Sequence, residues 1–80
     1  MNKENLDEII QDELLRTLSF FEPMTLEFIY LDLDDSFLEN YPNIHIQNLS
    51  DNLKVLEEKK LIKTQLKDEQ KYWIKIYQKG

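Results

Sequence analysis

The feature that most limits the fold is a change of period. Up to about residue 60 the apolar residues recur every three or four positions, whereas from Leu61 they alternate, first in "LIKTQLK" and again in "KYWIKIYQK", with "DEQ" between them. Helical spacing that gives way to a two-residue repeat around a short polar break reads as helices followed by a β-hairpin. If Asp68, Glu69 and Gln70 form a three-residue loop, Leu66 faces Tyr72, Thr64 faces Ile74 and Ile62 faces Ile76, giving one apolar side. The other side then carries Lys63, Gln65, Lys67, Lys71, Trp73, Lys75, Tyr77 and Lys79. In that register Lys67 opposes Lys71 and Lys63 opposes Lys75, which costs a few tenths of a kcal/mol per like-charge pair. An anionic ligand would relieve the repulsion, as would Asp68, Glu69 or acids of the first helix.

Three helical patterns precede the hairpin. In "NLDEIIQDELLRTLSFF" Leu6, Ile9, Ile10, Leu14, Leu18 and Phe21 share one face, Asn5 and Glu8 have capping-box spacing, and Pro23 ends the run. In "TLEFIYLDLDDSFLEN" Leu26, Ile29, Tyr30, Leu33 and Phe37 share a face behind a Thr25 cap. The piece "IYLDLD" also alternates like a strand, and the length of the longer pattern favours a helix. Asn40, Pro42 and Asn43 form a turn. In "NIHIQNLSDNLKVLEEKK" Ile46, Leu49, Leu53 and Leu56 lie opposite Gln47, Asp51, Lys54 and Glu58. The chain is therefore read as a mainly α domain with a small β-hairpin (α+β), with helices over about 5–21, 25–40 and 43–60 and a hairpin over about 61–79.

Eighty residues suffice for one hydrophobic core and not two. The absence of Cys excludes disulfides, thiolate metal sites and thiol nucleophiles. No basic stretch leads into an apolar one at the start, and no apolar run approaches the ~20 residues needed to span a bilayer, so a cytoplasmic chain is expected. Charge is divided: residues 1–53 hold two cations against twelve acids, net −10, and residues 54–80 hold eight Lys against four acids, net +4. Such asymmetry points either to a polyanionic partner for the basic part or to a solvated charged surface.

Helices followed by "LKVLEEKKLIK…DEQKYWIKIYQKG" resemble a winged helix-turn-helix domain, and this passage is similar to the recognition-helix and wing segment of MarR-like transcriptional regulators. Two positions depart from that pattern: Lys60 stands where a Gly is usual, and the wing contains no Arg. The resemblance implies a third helix in the major groove and a wing on the phosphate backbone or in the minor groove. Gln47, Asn48 and Lys54 would then face bases, and Lys63, Lys67, Lys71 and Lys75 would neutralise phosphates. The function so implied is a small, non-enzymatic DNA-binding regulator of transcription, needing no cofactor, with duplex DNA as partner. The alternative is a winged-helix module that binds other proteins, or an acidic DNA mimic or anti-regulator that does not bind DNA directly. Leu15 and Phe20, extra apolar residues of the first helix, mark a possible homodimer contact.

Other constellations read more simply. Asp32, Asp34, Asp35 and Glu39 are spaced somewhat like a calcium loop, but Phe37 occupies the position that needs Gly, so a solvated acidic helix face is expected. His45, the only His, fits a turn or helix start; with no Cys it cannot seed an ordinary zinc site. A triad of His45 with Ser36 or Ser50 lacks nucleophile-elbow glycines, Gly80 being the only Gly. Trp73 and Tyr77 are read first as covered by the first helix, the chain end or a second copy, and second as stacking groups.

Overall fold

The computed structural model describes residues 5–77. It is an α+β arrangement of α1 (Leu6–Thr17), α2 (Leu26–Asp32), α3 (Asp35–Asn40), α4 (Ile46–Glu58), β1 (Ile62–Lys67) and β2 (Gln70–Lys75). Positions 78 and 79 of the expected hairpin, Lys79 included, lie outside the described residues.

Asn5 caps α1, its side-chain oxygen accepting from the Asp7 amide at 2.9 Å. The helix stops four residues short of the expected Phe21, because the Ser19 hydroxyl accepts from the amides of Phe21 (2.9 Å) and Glu22 (3.1 Å) and turns the chain. The expected helix over 25–40 is two helices. Leu33 is extended (φ −62, ψ 146), and the Asp34 carboxylate accepts from the Ser36 amide and hydroxyl, both at 3.0 Å, starting α3 afresh. A short acidic side chain that offers its own acceptor competes with helix continuation at this point.

His45 is the N-cap residue of α4, in line with its reading as a helix start. At the other end Lys60 takes a left-handed conformation (φ 63), its amide donating to the Glu57 carbonyl at 3.0 Å and the Leu61 amide to the Leu56 carbonyl at 3.1 Å. These two bonds form a Schellman motif, so the position where the resemblance leads one to expect Gly does adopt the glycine-like conformation, with Lys bearing the strain. The reversal aims Leu61 back at the core and launches β1.

The hairpin register differs by one residue from expectation. Asp68 (φ 52) and Glu69 (φ 65) alone make the turn, both with positive φ as in a type I′ hairpin, and the pairs are Ile62 with Lys75, Thr64 with Trp73, and Leu66 with Lys71. The expected pairs Leu66–Tyr72, Thr64–Ile74 and Ile62–Ile76 do not form. A one-residue shift moves every side chain of a strand to the other face. Here β2 is turned over relative to β1: Trp73, expected on the cationic side, shares a face with Ile62, is 8% exposed and joins the core, while Leu66 keeps the Ile62 face but lies near the turn, beyond the core, and is 72% exposed. The cause is a long-range pair: the Met24 amide donates to the Trp73 carbonyl at 2.9 Å and the Trp73 amide to the Met24 carbonyl at 2.8 Å. With β1 on one side and Met24 on the other, β2 is a central strand whose indole is presented to the helices.

The core comprises Ile10, Leu14 and Leu18 after and along α1, Ile29, Leu33, Phe37 and Ile44, then Leu49, Leu53 and Leu56 of α4, with Ile62 and Trp73. Ile46, expected on the inner face of α4, is half out, and Ile44 is buried. Between α1 and α4 lies a buried amide pair: Gln11 Nε2 donates to Asn52 Oδ1 at 2.8 Å. Asn52 Nδ2 donates to the Asn48 carbonyl (2.9 Å) and Asp7 Oδ1 (3.3 Å), and Lys59 Nζ to Gln11 Oε1 (3.0 Å). Both amides are thus satisfied, and the pair fixes the rotation of α4 against α1.

Glu69 supports a positive φ without being Gly, so Glu69→Gly should raise stability by about 0.5 kcal/mol, the strain relief exceeding the added chain entropy. That corresponds to a rise of roughly 3 °C in thermal midpoint, measurable by circular dichroism; a fall would show that the Glu69 side chain is needed in the turn.

Candidate nucleic-acid interface

The residues expected to touch nucleic acid lie on α4 and the hairpin, and the geometry treats them unequally. Gln47 is exposed in the first turn of α4 with its Nε2 donating to Asp51 Oδ1 at 2.9 Å. Asn48 is half-buried, and its side-chain oxygen accepts from the His45 amide at 2.7 Å while its backbone carbonyl receives Asn52 Nδ2. Its amide group therefore serves the start of the helix. Lys54 is exposed nearly two turns further on, beside a cleft between α4 and the hairpin lined by Ser50, Asp51, Lys54, Glu57, Thr64, Lys71 and Trp73. Lys54 and Lys71 are brought together there, and so are two carboxylates.

The four hairpin lysines do not share a face. Lys63 and Lys67 pair with Ile74 and Gln70 on one side of the sheet, while Lys71 and Lys75 pair with Leu66 and Ile62 on the other. The expected like-charge pairs Lys67–Lys71 and Lys63–Lys75 are absent, because the register that Met24 imposes sets each lysine opposite a neutral residue. Lys63, Lys67 and Lys71 are exposed. Lys75 is half-buried, with Nζ 4.5 Å from the centre of the Phe20 ring, and that ring stacks on Tyr77 at 4.8 Å. A cation held over a ring face is already partly compensated, which leaves Lys75 the least available of the four.

The two aromatic residues of the hairpin separate too. Trp73 is in the core, in line with the covered-ring reading, whereas Tyr77 is 75% exposed with one face against Phe20. Leu15 of α1 is partly buried against the core, and Phe20, 39% exposed, lies in the turn beyond the helix.

Some features were not anticipated. Thr64 Oγ1, at the floor of the α4–hairpin cleft, is buried and has no hydrogen-bond partner among the described residues. Glu13 is buried on α1, its Oε2 accepting from the Asp34 amide at 3.4 Å. Phe28 and Leu31 stand out from α2, which a helical wheel over residues 26–32 alone would have revealed. Among the described residues no group of three or more His, Cys, Asp or Glu could hold a metal ion, and no helix is long and apolar enough to cross a membrane. No protein-family model, curated protein or solved structure matches the chain.

Because the Asn48 carbonyl oxygen of the side chain holds the helix start, Asn48→Ala should destabilise the fold by about 1 kcal/mol. Asn48→Asp keeps an acceptor near the positive end of the helix dipole and should retain most of that stability. Urea denaturation of the two variants checks both, and equal midpoints for Ala and the natural chain would remove the capping role.

Proposed function

We propose that the chain is a winged-helix domain that binds duplex DNA as a transcriptional regulator in the cytoplasm, with the hairpin as wing and main contact. The observation that carries this reading is the exposure of Lys63, Lys67 and Lys71 on both faces of a projecting hairpin, with Lys54 beside it on α4. The order α1, an extended residue at Met24, α2, α3, α4 and the hairpin, with Met24 pairing to β2, supports a winged-helix layout. A wing with cations on both faces can neutralise phosphates on either side of a groove.

The contribution of α4 is the weaker part. Gln47 is turned to Asp51, Asn48 is committed to capping, and Asp51 and Glu57 flank Lys54. Side chains that would read base edges are thus occupied, and two carboxylates oppose the approach of phosphates. The reading therefore assigns affinity to the wing and little sequence discrimination to α4.

Fluorescence anisotropy with a mixed-sequence duplex tests it. Three to four phosphate contacts give a slope of about −3 for log affinity against log salt, and binding should be lost when Lys63, Lys67 and Lys71 are changed to Glu. Lys75→Gln should change the slope little, and Asp51→Asn should raise affinity. Absence of binding at ~50 mM salt would sink the DNA reading and leave a protein-binding winged-helix module in its place.

A further inference from the structure

Lys, Glu and Asp cover most of the outward helix surfaces, but α2 presents large apolar groups to solvent. Its inner side is Leu26, Ile29 and the following Leu33; on its outer side Phe28 is 64% exposed and Leu31 78% exposed. These two are three residues apart and adjoin on a helix surface. Phe28 also lines a groove with Thr17, Ser19, Glu22, Pro23, Met24 and Asp32, and Phe21, on the Ser19–Glu22 turn, is 82% exposed. Single exposed apolar residues are ordinary, but Phe28 lining the groove, with Leu31 beside it on the helix and Phe21 next in sequence to the groove residue Glu22, is the pattern of a contact surface.

Charge says what kind of partner fits. Glu22 and Asp32 line the groove, and Glu27 sits one turn before Leu31; all three are exposed. The acidic rim repels nucleic acid and anionic membranes. It also disfavours two copies meeting face to face, since each would set Glu22, Glu27 and Asp32 against the same residues. We propose that the Phe21–Phe28–Leu31 surface docks a cationic protein segment that inserts large apolar side chains into the groove while its Lys or Arg residues meet the acidic rim. This surface is distinct from the α4–hairpin region, and its occupation does not depend on DNA binding.

The probe is a short synthetic peptide repeating Leu-Lys-Lys-Leu, with Leu-Glu-Glu-Leu and Ser-Lys-Lys-Ser as controls, titrated into the isotope-labelled full chain and followed by amide chemical shifts. The Leu-Lys peptide should shift amides from Phe21 to Asp32, and neither control should do so. Changing Phe28 and Leu31 together to Ser should weaken binding by about tenfold or more, as expected for central apolar anchors, and leave the thermal midpoint unchanged. Glu22→Gln with Glu27→Gln and Asp32→Asn should weaken it and flatten its salt dependence. The proposal is overturned by no binding, by equal binding of Ser-Lys-Lys-Ser, or by shifts that map elsewhere. It is likewise overturned if light scattering finds a dimer that the Phe28→Ser, Leu31→Ser variant abolishes, because a second copy would then cover the face.

Discussion

The backbone pair between Met24 and Trp73 is the constraint on which the rest of the molecule depends. Two hydrogen bonds across 49 positions of chain place β2 in the middle of the extended segments, with Lys75 further tied to the Ser19 carbonyl at 2.9 Å. Once Trp73 is held there, its indole joins the core beside α4, and every other side chain of β2 has its face decided. Leu66 falls on the same face as Trp73 but close to the turn, past the reach of the helices, and the lysines must divide two and two. The electrostatic character of the hairpin is thus a consequence of a contact made by a residue before α2.

This explains which parts of the fold could be read from the residues. The buried faces of the helices were legible: Ile10, Leu14, Leu18, Ile29, Leu33, Phe37, Leu49, Leu53 and Leu56 were all expected inside and are there. Helical periodicity is a local signal and these positions obey it, whereas Leu6, Phe21, Tyr30 and Ile46, expected on the same faces, lie at or beyond the element ends or at the edge of the stripe and are exposed. Hairpin existence was legible for the same reason, but its register was not. Alternation suits two registers equally, and a distant partner chooses between them. The ends of α1 and the division between α2 and α3 were also missed, since Ser19 and Asp34 each supply a side-chain acceptor that outcompetes helix continuation. Asn52 is buried against Gln11 of another helix, a contact that the local pattern around it does not reveal.

For the candidate interface, exposure of Lys63, Lys67 and Lys71 was legible and their arrangement was not. The expectation of one cationic face came directly from the mistaken register. With the lysines divided, the hairpin is cationic along both sides and carries Asp68 and Glu69 at its tip, so an approaching anion meets mixed charge at the end and positive charge along the flanks. The acids of α4 extend that mixture into the cleft beside Lys54 and Lys71. Charge separation along the chain therefore does not become a simple two-sided dipole in space; it gives a cationic rod rooted beside acidic helices.

The position of β1 gives the same lysines a second meaning. It pairs with β2 on one edge, and among the described residues no strand covers its other edge. Such an open row of amides and carbonyls invites pairing with any extended chain, and charged side chains on an edge strand oppose it. Lys63 and Lys67 both sit on this strand. Whatever they bind, their removal would leave Ile62, Thr64, Gln65 and Leu66 as an uncharged edge, and the chain would become prone to assemble strand against strand.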